Sequence, residues 1–233
     1  MFASLACVAV PTDRTITLDG VRTAVGTFAA SFGADGSDSG LVVVTGDDVD
    51  LSLVEHRRAL HRWLNGWGCR IRYAQPGEPD LFDAGVATWW SQRRSDLASV
   101  TDSISGLGDD EISRLGAAFE DLTALPIARN TAGTERTMGA TASAKALYAL
   151  RPRAVMPWDL AIAERLHGGR DATAFVAHLT LGRDWARQLL QESGWDEARL
   201  AAELGQPGAS LARLLDQYCY VRFTLDRRSR TTS

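Results

Sequence analysis

The chain has 233 residues, a net charge of −4 and 45% hydrophobic residues, enough to bury a sizeable core. This negative net charge argues against a protein that binds nucleic acid over much of its surface. The three cysteines, Cys7, Cys69 and Cys219, show no metal-ligand spacing, so we expect a reduced cytoplasmic protein without structural zinc. The apolar run at 1–11 is too short to span a bilayer. No glycine-rich phosphate loop follows a strand, which argues against a nucleotide-dependent enzyme.

The first 50 residues mix β-type runs with turn residues. The runs at 15–18 and 41–44 predict strands. A helix is predicted between them, at 21–32, followed by a loop rich in Gly, Ser and Asp at 33–40. Residues 1–50 are therefore predicted to form a small α/β segment that packs on the rest of the chain.

From residue 51 onward the hydrophobic pattern is helical. Acidic residues at 109–111 favour a helix start, because carboxylates stabilise the positive end of the helix dipole. A polar connection is expected at 128–139. The predicted helices span 51–64, 82–97, 109–125, 140–151, 159–167, 171–180, 182–193, 196–204 and 209–223. The sequence thus predicts a mainly α, two-lobed fold with an all-α domain at 51–233.

Residues 56–72 form a basic stretch with five arginines and no acid. Basic groups neutralise phosphates and aromatic rings can stack on bases, so this stretch is a candidate nucleic-acid surface. The arginines expected to contact phosphates are Arg57, Arg58 and Arg62. The alternative is a solvated helix face. Trp63 and Trp67 lie among the arginines, but their helical spacing favours core packing for both rings.

Lys145 is the only lysine, against 24 arginines. So strong a bias suggests that lysine survives only where arginine will not serve, although chance survival on a helix is the alternative. An ε-ammonium is compact, is tunable by burial and can act as a nucleophile once it loses its proton. Asp159 follows fourteen positions later. We therefore take Lys145 and Asp159 as the candidate catalytic residues.

Asp159 opens a predicted helix, directly after Pro157 and Trp158. One interpretation is a helix N-cap that accepts a backbone hydrogen bond from two or three residues further on. A carboxylate at a helix mouth is also held rigidly and favoured in its ionised form by the dipole. These are the properties needed to stabilise a positively charged sugar or to position a water molecule for attack on it.

The run Gly139-Ala-Thr-Ala-Ser-Ala-Lys-Ala-Leu-Tyr-Ala-Leu-Arg-Pro-Arg-Ala-Val-Met-Pro-Trp-Asp resembles the core signature of the helix-hairpin-helix DNA glycosylase superfamily. In that signature a glycine-containing hairpin leads into an Ala/Ser-rich helix, and a Leu-x-Pro stretch ends at the catalytic aspartate. The bacterial proteins with an 8-oxoguanine-glycosylase-like fold are the most similar group. The resemblance implies a glycosylase-like helical fold with its helix-turn-helix core at about 139–167.

The resemblance also implies a monofunctional enzyme in which Asp159 stabilises the sugar cation and orients water. The family's nucleophilic lysine would fall near Ala140, so Lys145 is expected to contact the pocket or a phosphate, or to cap a nearby carbonyl. The family's hairpin reads Leu-Pro-Gly-x-Gly, whereas here Leu125-Pro126 is followed by Ile-Ala-Arg-Asn. The implied base-binding residues are Trp158, Tyr148 and Ser143, and the implied DNA contacts at the hairpin are Gly139 and Thr141.

The expected activity is removal of a modified or damaged base from DNA by a cytoplasmic monomer, without metal, cofactor or membrane. Two alternatives remain open. An N-glycosidase acting on a free modified nucleoside or nucleotide would need the same aspartate but no DNA-binding face. A non-catalytic helical module that binds nucleic acid or protein would use Asp159 only as a cap.

Overall fold

The computed structural model describes residues 14–33, 41, 44–46, 48–130 and 133–225. This part of the chain is mainly helical, which confirms the predicted fold class. The α-helices are α1 (Leu18–Phe32), α2 (Val54–Gly66), α3 (Leu81–Ala98), α4 (Asp109–Ala124), α5 (Gly139–Leu150), α6 (Leu160–His167), α7 (Ala172–Ser193), α8 (Glu197–Glu203) and α9 (Leu211–Cys219). A short 3₁₀ turn spans Ile104–Gly106, and a π-helix at Tyr220–Leu225 continues α9. None of the described helices is long and apolar enough to cross a membrane.

The N-terminal strand predictions are wrong where the structure describes those residues. The backbone at Thr17 is extended, but its side chain accepts a hydrogen bond from the Gly20 amide and so begins α1 at Leu18. In the second predicted strand, Leu41 and Val44 are helical, while positions 42 and 43 lie outside the described residues. The predicted loop at 33–40 lies outside them too, except for Gly33. The helix predicted at 21–32 is confirmed.

The described strands form a hairpin in the middle of the chain instead, where the sequence predicted a polar connection. Strand β1 (Pro126–Arg129) pairs antiparallel with β2 (Glu135–Thr137). The Asn130 side chain accepts a hydrogen bond from the Thr134 amide and closes the turn. All three residues of β2 are exposed, so the strand carries no alternating apolar pattern that would have revealed it.

Helix α7 is continuous, although the sequence predicted two separate helices at 171–180 and 182–193. Gly182 is buried inside the helix. A Cβ built at this position would lie 2.9 Å from Cδ1 of Ile104 and 3.1 Å from Cε of Met156. The glycine therefore serves close packing of α7 against the 3₁₀ turn rather than a break in the helix.

The hydrophobic core is one continuous cluster of buried residues. It extends from Ile16, before α1, to Phe223 in the π-helix. Helix α4 packs between α5 and α7, while α1 packs along α9. The ends of α1, α2 and α9 meet the start of α6 around an open cleft.

Candidate functional site

The cleft has a volume of about 480 Å³ and is lined by residues of α1, α5, α6 and α9 and by the C-terminal end of α2. Its walls combine two carboxylates, two cations and several aromatic rings. The lining residues are Phe28, Phe32, Gly66, Trp67, Gly68, Lys145, Pro157, Trp158, Asp159, Ile162, Arg213, Asp216 and Tyr220. The structure thus brings the two candidate catalytic residues, Lys145 and Asp159, into one cleft.

Lys145 reaches the cleft from the middle of α5. Its Nζ donates a hydrogen bond of 2.7 Å to the backbone carbonyl of Trp67 and lies 5.4 Å from the centre of the Trp67 ring. Trp67 is the C-cap residue of α2, so the ammonium faces the negative end of that helix. This is the carbonyl-capping role that the sequence analysis considered for Lys145, and it holds the charge in place at the cleft wall.

Asp159 is both the N-cap of α6 and a wall of the cleft. Its Oδ1 accepts a hydrogen bond of 2.9 Å from the Ile162 amide, which is the capping bond that the sequence predicted. Its Oδ2 accepts one of 2.8 Å from the Thr224 hydroxyl, on the π-helix. Each carboxylate oxygen has further acceptor capacity. The side chain is therefore held at both oxygens and can still receive a hydrogen bond from a ligand or a water molecule.

Arg213 and Asp216 add an ion pair that no feature of the sequence had indicated. Nη1 of Arg213 lies 2.8 Å from Oδ2 of Asp216, and each side chain is 11% exposed. The Arg213 guanidinium carbon lies 5.3 Å from the centre of the Phe28 ring and 5.2 Å from that of Trp67. Cation–π contacts of this kind stabilise a partly desolvated arginine.

The environment raises the pKa of Asp216 to about 6. Burial of the carboxylate is the main cause, and the negative charge of Asp159 adds to it. The positive charges of Arg213 and Lys145 act in the opposite direction. The cleft therefore contains a carboxyl group that titrates close to neutral pH.

Three aromatic rings form a wall that the sequence analysis also missed. Phe28 and Phe32, one turn apart on α1, have ring centres 5.0 Å apart. Tyr220 contacts both edge to face, at 5.9 Å and 5.7 Å. Phe32 is 51% exposed, so part of an apolar ring faces the open side of a charged cleft. An aromatic face in such a position can stack on a planar ligand.

The residues predicted to bind the base are buried. The Trp158 side chain is 1% exposed; its ring packs against Phe119 and Phe175, and its Nε1 donates to the Ala140 carbonyl. The prediction that Trp158 stacks on a base is therefore wrong, because the residue is almost fully buried and its ring already packs against neighbouring rings.

Tyr148 and Ser143 are also corrected. Tyr148 is 3% exposed and packs its ring against Trp63 and Trp67. Trp63 is buried, as its spacing predicted, whereas Trp67 is only partly buried and also lines the cleft. Ser143 is fully buried, and its hydroxyl donates to the Gly139 carbonyl one turn earlier in α5. Neither side chain has a surface left for a substrate.

The predicted DNA contacts lie outside the cleft lining. Gly139 has a positive φ of 70°, a conformation that favours glycine, and it begins α5 with Thr141 in the first turn. Arg58 and Arg62 are exposed on α2. Arg57 is buried and bound to both carboxylate oxygens of Asp83, at 2.7 Å and 3.0 Å. The prediction that Arg57 contacts phosphate is therefore wrong, since its guanidinium is buried and paired with Asp83.

A pair of histidines, the buried His178 and the partly buried His167, supports the backbone just before Asp159. His178 Nε2 lies 3.4 Å from the Pro157 carbonyl, which can only accept, so the hydrogen sits on Nε2. His178 Nδ1 then accepts from His167 Nε2 at 3.0 Å. Burial lowers the pKa of His178 to about 3 and that of His167 to about 4. Both rings are neutral at physiological pH.

Within the described ranges no group of three or more His, Cys, Asp or Glu side chains is placed to hold a metal ion. Comparison of the chain with protein-family models, with curated proteins and with solved structures finds no match. Family membership, as suggested by residues 139–159, therefore stays a prediction.

Proposed function

We propose that this protein is an N-glycosidic bond hydrolase, similar to the DNA glycosylases, that removes a modified or damaged base. The observation that carries the proposal is the cleft shared by Asp159 and Lys145, with Asp159 fixed at the mouth of α6. Different features of the sequence point to the two residues: Lys145 is the only lysine, and Asp159 stands at a helix start. Because Lys145 and Asp159 line the same open cleft, a joint catalytic role is favoured over two independent structural roles.

Asp159 is suited to stabilise positive charge on the sugar as the bond to the base breaks. Its two hydrogen-bond donors, the Ile162 amide and the Thr224 hydroxyl, orient the carboxylate before a substrate arrives. Such preorganised charge is more effective than a mobile side chain because no reorganisation is needed during the reaction. The free acceptor capacity of the same oxygens can orient the attacking water.

The size and walls of the cleft fit one nucleotide unit. Its volume of about 480 Å³ lies within the range of ordinary small-molecule pockets. A base in a duplex would have to leave the stack to enter it, at a cost of a few kcal/mol. The wall formed by Phe28, Phe32 and Tyr220 can replace part of that lost stacking, and Lys145 supplies positive charge for an oxygen or phosphate of the substrate.

A free modified nucleoside or nucleotide is the second candidate substrate, and the basic stretch favours it. Two of the five arginines there are already paired: Arg57 with Asp83 and Arg72 with Glu78. Arg58, Arg62 and Arg70 are exposed. The surface free to contact phosphates is therefore smaller than the sequence suggested, and a small substrate would not need it.

The test is release of free base by the purified protein. Oligonucleotides with one 8-oxoguanine, hypoxanthine or N7-methylguanine, single-stranded and duplex, are compared with the corresponding free nucleosides. We expect cleavage of at least one of them, and we expect Asp159→Asn to lower the rate by orders of magnitude while binding persists. The amide still caps α6, so the stability loss should be about 1 kcal/mol or less.

Asp171→Asn is the matched control. Asp171 caps α7 through the same bond, from its Oδ1 to the Ala174 amide at 2.8 Å, but does not line the cleft. This variant should keep full activity with a similar change in stability. If Asp159→Asn cleaves at the wild-type rate, Asp159 is only a cap and the proposal fails. Absence of any base release by the wild-type protein would also refute it.

A further inference from the structure

The cleft contains a second carboxylate whose environment differs from that of Asp159. Asp216 projects from α9 and lines the same cleft. Arg213 binds its Oδ2, and among the described residues no donor is found for its Oδ1. Asp159, in contrast, has a donor on each oxygen. The Asp159 carboxylate is thus held in one orientation, whereas Asp216 keeps one oxygen available for proton transfer.

We propose that Asp216 is a second catalytic residue, the general acid that protonates the base as it leaves. This inference rests on the proposed N-glycosidase function and assigns one proton-transfer step of that reaction to a named side chain. It applies to neutral bases, since a purine that departs as an anion is a poor leaving group. Two carboxyl groups with opposite tasks are the usual arrangement for glycosidic bond hydrolysis.

Proton transfer from Asp216 accompanies cleavage of the N-glycosidic bond. The bond between the sugar C1′ and the base nitrogen breaks, its electron pair goes to the nitrogen, and the proton of the Asp216 carboxyl moves to the base. Water attacks C1′, and the proton that it loses returns through Asp159 or bulk water to Asp216. The net reaction consumes one water molecule and yields the neutral free base, which carries the transferred proton on its nitrogen, and a sugar hydroxyl, without any other reactant.

The charges around Asp216 are compatible with this role. Arg213 lies on the same helix, Lys145 faces it from α5, and Asp159 faces it from the start of α6; buried Cys219 is the titratable neighbour one turn further along α9. The raised pKa, about 6, leaves about a tenth of the molecules protonated at pH 7, which is sufficient for a general acid. An ordinary aspartate would be almost fully ionised at this pH.

The experiment compares leaving groups. N7-methylguanine is cationic in the nucleotide and leaves as a neutral base, so it needs no proton, whereas hypoxanthine and 8-oxoguanine do. We expect Asp216→Asn to lower cleavage of the neutral bases by about 100- to 10,000-fold. Cleavage of N7-methylguanine by the same variant should change less than about tenfold. Asp159→Asn should impair all three substrates alike.

The pH dependence of the wild-type enzyme gives a second measurement that needs no variant. Cleavage of the neutral bases should fall about tenfold per pH unit above pH 6, as the acid is lost, while N7-methylguanine cleavage should not. The proposal fails if Asp216→Asn lowers the cleavage rate equally for all leaving groups, or if the two kinds of base show the same pH profile. Asp216 would then only form the ion pair with Arg213. The proposed function would stand in that case, since it depends on Asp159.

Discussion

At the scale of single residues, the hydrogen bond between Thr224 and Asp159 determines how well the carboxylate is oriented. Thr224 lies 65 positions after Asp159 in the chain, yet its hydroxyl is the donor for the oxygen that the helix cap leaves open. A carboxylate held only by its cap bond can rotate away from the sugar of the proposed substrate. Small misplacements of this kind are costly in catalysis.

We therefore predict that Thr224→Val lowers kcat by about 10- to 100-fold with little change in KM. Valine keeps the shape of the side chain, so the stability loss should be about 1 kcal/mol. Steady-state kinetics on the released base measure the first quantity, and urea unfolding measures the second. Thr180→Val removes a comparable hydroxyl, bound to the Val176 carbonyl on α7, and should leave kcat unchanged. An unchanged kcat in Thr224→Val would show that the cap alone orients Asp159.

At the scale of elements, the histidine pair between α6 and α7 makes the fold sensitive to acid. Folding lowers the pKa of both rings below the ordinary value of 6.5. Below this pH the histidines of the unfolded chain therefore bind protons more readily than those of the folded chain. The stability that the pair contributes is complete above pH 6.5 and is lost as the pH falls towards 4 and 3. Asp216 acts in the opposite sense between pH 6 and 4, because its pKa is raised.

The predicted result is a free energy of unfolding that decreases below pH 6.5, by up to about 1.4 kcal/mol per pH unit for the buried His178. Denaturant unfolding at pH 7.0, 5.5 and 4.5 measures it. His178→Gln should be less stable than wild type at pH 7, since it loses ring packing, but its stability should depend less on pH. If the variant shows the same slope as wild type, other groups cause the acid sensitivity.

The elements also show which parts of the structure the sequence can predict. Apolar periodicity predicted the positions of most helices. Composition and the capping pattern pointed to Lys145 and Asp159 as candidate residues. The run at 15–18 looked like a strand because nothing in it shows that Thr17 caps a helix. Arg213, Asp216 and the aromatic wall were missed because an (i,i+3) ion pair and an (i,i+4) ring pair occur on many helices. Only the packing of α1 on α9 turns them into a site.

Across the whole molecule, the basic surface nearest to the cleft among the described residues is the one on helix α2. Helix α2 carries the exposed Arg58 and Arg62, and its C-terminal end, at Gly66 and Trp67, forms part of the cleft wall. A strand that enters the cleft would pass this helix end. The overall charge of −4 makes such a local basic surface decisive for binding DNA.

We predict that the double variant Arg58→Gln/Arg62→Gln binds an oligonucleotide more weakly and that the slope of log K against log salt falls by about 1 for each lost phosphate contact. Fluorescence anisotropy at several salt concentrations measures both. Arg94→Gln, an exposed arginine on α3, is the control and should leave the slope unchanged. An unaltered affinity in the double variant, together with cleavage of free nucleosides, would favour the small-molecule substrate.

The position of the only lysine has a practical consequence for handling the protein. Apart from an α-amino group, Lys145 is the one site at which amine-reactive reagents can attach, and it lies inside the cleft. Coupling of an activated resin or dye to this lysine would therefore block the cleft instead of labelling a surface that has no part in binding. The same circumstance makes reductive methylation a footprint of occupancy: one mass increment of the peptide containing Lys145, suppressed when a ligand fills the cleft, would report binding without any knowledge of the reaction.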